Sequence, residues 1–366
     1  MTNAHRTTRT TLTTRVARRA RRHPVLGAAA VLVLVSALAA AGVGATANAS
    51  SGAHKKAVRV HHAQTRHHRT HKPHLHQRPA PAKAAAVPAP KAAATQVCGA
   101  MATRTGHISH VIWIVMENRS YSQVIGAPYI SSLASQCGVA TNFHNVSHPS
   151  LPNYIAMTSG RALGQLPRTD CPTFCPVSGP SIFTQTRSWR VYAESMPGNC
   201  VRHNAGSYVV HHTAAPYYPS VTNCATNDLP LTALNLGALP SFSLIVPNVR
   251  NDMHETSSSV SAGDSWLRAH LGAILASAAY RSGSTVVFLT WDEGGTPRHT
   301  NACATNATDP GCHIALLVLS PYVRPGTRWT AFANQYSLLQ ATERLLGLPY
   351  LGLASSAPSI RTAFRL

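Results

Sequence analysis

The sequence predicts a three-layer α/β/α sandwich with a mainly parallel central sheet. Three observations point to it. From His107 onward, short apolar runs alternate with stretches of helical periodicity. Two runs, STVVFLTW (284–291) and IALLVLS (314–320), are apolar without alternation, as in strands buried on both faces. VIWIVM and the TVVFLTW part of the first run end abruptly in carboxylates, which is how an open sheet delivers ligands to the crevice at its carboxyl edge.

Taken in order, VIWIVM (111–116) reads as a buried strand, and Pro128 to Gln136 as a helix closed near Gly138. ATNFHNV (140–146) is strand-like, and Pro152 to Ser159 forms the first turns of a helix. WRVYAE (189–194) and FSLIVP (242–247) are short strands. Asp264 to Ala279 places Leu267, Leu271, Ile274 and Leu275 on one helical face. Gln335 to Leu346 is a closing amphipathic helix. Residues 164–240 have many Pro, Asn and Cys and little periodicity, and read as a disulfide-pinned insertion over the sheet edge.

The first 97 residues are of another kind. Half of the 32 Lys and Arg fall there without a single acid, so +16 of the net +21 lies outside 98–366, the expected catalytic domain. Residues 1–49 combine seven Arg, an apolar stretch from Val25 to about Ala47 and an Ala47-Asn48-Ala49 cleavage site. They read as an export signal or, alternatively, a membrane anchor; Arg18-Arg19 and Arg21-Arg22 suggest twin-Arg export. Residues 50–97, rich in His, Lys, Pro and Ala, lack the apolar bulk to fold alone. They are a solvated linker or a contact for an anionic wall or membrane surface. The folded part is only mildly basic and carries no nucleic-acid recognition module. All eight Cys lie between Cys98 and Cys312, and an exported chain oxidises them. Proximity in sequence pairs Cys171–Cys175, Cys200–Cys224 and Cys303–Cys312, leaving Cys98–Cys137, one of the 105 possible pairings.

The chemistry lies in the acids. The chain has only 11 Asp and Glu, and six fall in four short segments: MEN (Glu117), NDMHE (Asp252, Glu255), GDSWL (Asp264) and WDEGG (Asp292, Glu293). Two carboxylates about 4 Å apart repel by roughly 4 kcal/mol at an effective dielectric near 20. A divalent cation removes that cost, and no Lys occurs after Lys91 to do so. Asp264 caps the helix that starts there, or joins the cluster. Ser150, in HPSLPNY, sits between two prolines where a strand gives way to a helix, and a hydroxyl at a helix N-terminus suits a phosphate. His211-His212 and Tyr217-Tyr218 line a pocket or pack in the irregular segment, and Trp113 and Trp291 belong to the core.

The order IVMEN, HPSLPNY, NDMHE, GDSWL, TWDEGG, HIALLVLSPYVRPG resembles the bacterial phosphoesterase family of acid phosphatases and phospholipases C, within the alkaline-phosphatase-like superfamily. The likeness covers roughly residues 107–349. It implies a metal-dependent phosphoesterase with Ser150 as nucleophile and Glu117, Asn118, Asp292 and Glu293 as metal ligands. Asp252 and His254 then fall where the family contacts metal or phosphate, and His313 near a late active-site histidine. Asn118 with His148 or His254 would donate to the phosphoryl oxygens, and a His would protonate the leaving group. Glu255 stands where many relatives have Asp and is left out of the ligand set. The scarcity of His ligands implies one divalent metal per site. The resulting expectation is a secreted phosphomonoesterase. The alternatives are a phospholipase C and a wall- or membrane-binding protein acting through its basic tail.

Overall fold

The computed structural model describes residues 96–366 apart from 104–105, 172–174, 256–259 and 296–298. The expected leader, and the basic segment up to residue 95, lie outside the described residues. No helix among the described residues is long and apolar enough to cross a membrane.

One nine-stranded sheet organises the domain. Its strands are β1 (His110–Met116), β2 (Gly138–His144), β3 (Trp189–Ala193), β4 (Asp228–Pro230), β5 (Phe242–Val246), β6 (Thr285–Trp291), β7 (His313–Leu319), β8 (Thr327–Trp329) and β9 (Ala333–Asn334). The spatial order is β4-β3-β5-β1-β6-β7-β2-β8, with β9 also on β2. β1 lies between β5 and β6 and runs parallel to both, in registers that pair Trp113 with Leu244 and Met116 with Trp291. Three adjacent strands therefore end together. β7 corrects one expectation: it is antiparallel to β6 and to β2. Its unbroken apolar run reports burial on both faces, which holds for either strand direction.

Helices supply the outer layers. Ser150–Ser159 packs against Gln335–Leu346, and Pro128–Gln136 packs against Val260–Ala276. Trp113 shows how the sheet meets the first pair. Its ring lies edge-on to Phe242, and its Nε1 donates to Thr342 Oγ1 at 2.9 Å. The Ser150 helix starts two residues before the expected Pro152, and the Val260 helix four before Asp264. Asp264 is thus inside its own helix, and its buried carboxylate caps the neighbouring one. Its oxygens accept from Tyr129 N and Ile130 N at 2.9–3.1 Å, where Ala127 offers no side-chain cap.

The four disulfides are the expected pairs, Cys98–Cys137, Cys171–Cys175, Cys200–Cys224 and Cys303–Cys312. Each such bond stabilises by about 2–4 kcal/mol. The irregular stretch 164–240 contributes β3, edge strand β4 and three short 3-10 turns.

A buried carboxylate sits in the closing helix. Glu343 is fully buried; its Oε1 accepts from Leu351 N at 2.8 Å, and its Oε2 has no hydrogen-bond partner. Burial raises its pKa from 4.5 to about 8. Because the folded state holds that proton more tightly, the stability Glu343 contributes is present below pH 4.5 and lost as pH rises through 8. Glu343→Gln should therefore stabilise the fold at pH 8.5, by on the order of 1–3 kcal/mol, and gain little at pH 5. Thermal melts at the two pH values check this; an equal gain at both would contradict it.

Candidate active site

The site begins with the exit of β1. Its last residue, Met116, accepts at its carbonyl from Asp292 N at 2.9 Å, and Glu117 N donates to Asp252 O at 2.8 Å. Backbone bonds thus tie the segments that follow β1, β5 and β6 before any side chain contributes. Asn118 then adopts φ +53°, a left-handed conformation that Asn tolerates and a β-branched residue resists. That turn aims Asn118 N at Asp292 Oδ1, 3.0 Å away, and Asn118 Nδ2 at Glu117 Oε2, 3.1 Å away. After β6, Gly294 is required by close approach: a Cβ there would run into the Gly311 carbonyl.

The Ser150 helix meets this carboxylate head-on. Ser150 Oγ donates to Glu117 Oε2 at 3.1 Å, and Tyr154, one turn later, donates to Glu117 Oε1 at 2.6 Å. Ser150 also lies near enough to Asp292 to favour that carboxylate's charged form. The loop before the helix is fixed by Asn153, whose Oδ1 accepts from Val146 N and Ser147 N at 3.0 and 2.8 Å. Asp170, from the irregular segment, caps Leu151 N at 2.9 Å.

His212 closes the far side. Fully buried, it places Nε2 3.4 Å from Glu117 Oε1 and Nδ1 3.7 Å from Asp252 Oδ2, and it stacks on Tyr154. Burial, then the neighbouring His211 and His254, push its pKa well below the usual value, so it is neutral at pH 7.

Glu117, Asp252 and Asp292 are each 0% exposed. Burial is the largest cause raising all three pKa values. Carboxylate repulsion adds to it, from Asp292 and Asp252 at Glu117, from Asp292 at Asp252 and from Glu293 at Asp292, with Asp252 and Asp292 reaching about 8 and Glu117 held well above its usual value. Oδ2 of Asp252 and Oδ2 of Asp292 are buried without a hydrogen-bond partner. Such groups are costly unless paired or bound to a cation. Three carboxylates with Asn118, a neutral His212 and the Ser150 hydroxyl make an oxygen-rich donor set that fits a hard or borderline divalent cation. The two groups whose ligand atoms all lie within 4.8 Å of one another among the described residues, His148/Cys303/Cys312 and Cys200/Cys224/Asp228, each contain a disulfide and so offer no thiolate; the carboxylate cluster is more open than either.

The structure thus brings together Glu117, Asn118, Ser150, Asp252 and Asp292. Glu293 turns the other way: its Oε2 is 3.0 Å from His148 Nδ1 and accepts from Asn153 Nδ2 at 3.4 Å. His148 and Glu293 form a buried pair beside the cluster. His254 is exposed; its backbone N donates to Asp252 Oδ1 at 2.7 Å, and its ring centroid is 6.2 Å from that of His212. His313 opens β7 at the same sheet edge, where it stacks between Tyr121 and His144 and bonds the Thr141 carbonyl. Sequence reasoning passed over Tyr154, although Ser150 and Tyr154 are spaced i, i+4 on one helical face. It weighed His212 as a pocket or packing residue, since nothing periodic in 164–240 says which side chains point inward.

Sequence comparison matches residues 127–349 to the Phosphoesterase family. The chain belongs to this family. Over 275 residues this phosphoesterase is 31% identical to the phosphatidylinositol-3-phosphatase of Mycobacterium tuberculosis, covering 72% of this chain and 85% of that protein. It is 27% identical over 259 residues to an acid phosphatase of Aspergillus fumigatus, covering 66% of this chain and 55% of that enzyme. Among solved structures it is similar to a Vibrio parahaemolyticus protein of the alkaline phosphatase superfamily, at 12% identity, with 73% and 74% of the chains covered and a TM-score of 0.48. It is a hydrolase of phosphoric esters.

If the cluster holds a divalent cation, Mn²⁺ or Ca²⁺ at 100 times its dissociation constant should stabilise the fold by about 2.7 kcal/mol. Asp292→Asn should lose most of that gain. Thermal melts with and without chelator check this; an unchanged shift in Asp292→Asn would move the metal elsewhere.

Proposed function

We propose that this phosphoesterase is a secreted, metal-dependent phosphomonoesterase that acts through a phosphoseryl intermediate on Ser150. The observation that carries the reading is the buried Ser150 hydroxyl held against Glu117 and Asp292 at the convergence of three parallel strand ends. The similarity to acid phosphatases supports a monoester substrate. The similarity to a phosphatidylinositol-3-phosphatase supports one carried on a lipid, in preference to phospholipase C cleavage of a diester. Four disulfides and the basic, apolar leader support export. The acid-free segment 50–97 supports contact with an anionic wall or membrane.

The residues divide the work. When bound, a divalent cation would screen the phosphoryl oxygens and lower the pKa of the serine hydroxyl. Glu117 Oε2 orients Ser150 Oγ for in-line attack and lies where its proton is released. As the Oγ–P bond forms, the bond to the leaving oxygen breaks. His148, braced at Nδ1 by Glu293, is the candidate donor of the proton that oxygen takes up. Asn118, His212 and His254 surround the position of the non-bridging oxygens. Water then attacks phosphorus, giving up a proton to the same histidine; the Oγ–P bond breaks, Ser150 Oγ takes back its proton from Glu117, and inorganic phosphate is released.

Ser150→Ala should lower turnover of p-nitrophenyl phosphate by at least about a thousandfold while keeping the cation-induced thermal shift. Near-normal turnover would remove Ser150 from the nucleophile role. Loss of the thermal shift together with activity would make it chiefly a metal ligand.

A further inference from the structure

Three large hydrophobic side chains are markedly exposed among the described residues: Leu163 at 40%, Tyr350 at 42% and Leu353 at 40%. Single exposed hydrophobics carry no message, but these three are not scattered. Leu353 N donates to Gly160 O at 2.8 Å, and a Cβ on Gly160 would strike the Leu351 carbonyl. The segments 160–164 and 350–353 are therefore in direct contact, and all three side chains stand on them.

The charge beside Leu163 is mainly basic: Arg168 lines the same cavity as Leu163, Arg161 lines a neighbouring one with Arg168, and Asp170 close by is partly buried. No acid occurs after Glu343, which is buried, and none between Ser150 and Arg168. Of the 11 acidic residues, eight are buried, Asp170 and Glu194 are partly buried, and Glu255 alone is exposed. Glu255 belongs to the segment that meets Arg119 beside the carboxylate cluster.

The patch also continues into a cavity. Leu163, Gly164, Pro167 and Arg168 line a space of about 520 Å³ whose inner wall is Ser147 and His148. A cavity of that size accepts a small polar headgroup. His148 lies two residues before Ser150, with its Nδ1 against Glu293.

We propose that Leu163, Tyr350 and Leu353, with Arg161 and Arg168, form a docking surface for an anionic phospholipid bilayer, which presents lipid-borne phosphate to the cavity beside His148. Three side chains are too few for a stable protein–protein interface, which needs roughly 800 Å² per partner. A bilayer differs, because apolar tips enter the headgroup boundary while each nearby Arg adds attraction to anionic lipid. The substrate half of the proposal rests on the phosphomonoesterase reading; the docking half stands without it.

The test uses the full chain and the variant Tyr350→Ser/Leu353→Ser, with Leu163→Ser added for binding alone. Sedimentation with phosphatidylserine–phosphatidylcholine vesicles would be read at about 0.5 M salt, where screening within a few ångströms weakens the basic N-terminal segment but not apolar insertion. The wild type should still pellet, and the variants should need about tenfold more lipid. The double variant should also turn over phosphatidylinositol phosphate in vesicles about tenfold more slowly, with p-nitrophenyl phosphate turnover unchanged. Equal vesicle binding by wild type and variants would overturn the proposal. So would a wild-type dimer, dissociated by the same substitutions, that ignores vesicles. If the wild type binds vesicles through these residues but hydrolyses neither phosphate, docking stands and the phosphomonoesterase reading fails.

Discussion

The structure is arranged around a repulsion. Glu117, Asp252 and Asp292 are taken out of water and held together without a lysine or arginine among them. Left alone, the cluster relieves itself by keeping protons, which is what the raised pKa values of all three express. The fold does not relieve it by moving the carboxylates apart, because backbone bonds between Glu117 N and Asp252 O and between Asp292 N and Met116 O fix their origins. A bound cation would turn the same closeness from a cost into a ligand set. Site chemistry and stability are then two sides of one interaction.

The sheet makes this arrangement possible. Placing β1 between two parallel neighbours brings three carboxyl ends to one edge, and the two antiparallel pairings of β7 return β2 to the same direction. β2 can therefore lead into the Ser150 loop from that edge. The Ser150 helix then points its first turn at Glu117 and uses one helical turn to set both Ser150 and Tyr154 against that carboxylate. The Cys303–Cys312 loop supports the other flank, where Cys303 N donates to Val146 O and Asn145 N to Cys312 O beside the serine loop.

Much of this was readable from sequence because its signals are local. Buried strands announce themselves as apolar runs, and carboxylates at their ends announce the crevice. The short disulfide spacings were read correctly for the same reason. What escaped depends on direction or distance. The composition of β7 cannot tell parallel from antiparallel, since both faces are covered either way. Asp264 looked like a cap for its own helix, whereas it caps the helix of Tyr129 and Ile130, more than 130 residues away in sequence. Glu293 is adjacent to Asp292 yet faces His148, because successive residues leaving a strand point to opposite sides. His212 comes from a segment without periodicity, so only tertiary packing reveals that its ring reaches Glu117 and Asp252.

Anomalous diffraction from crystals of the full chain grown with Mn²⁺ tests the central claim most directly. A density map also separates the carboxylate cluster from adventitious binding by the histidine-rich N-terminal segment, which bulk metal analysis cannot do. The account predicts a peak within ligand distance of Glu117, Asp292 and the Ser150 hydroxyl. A map in which the metal sits elsewhere, with the three carboxylates hydrogen-bonded to one another, would contradict it.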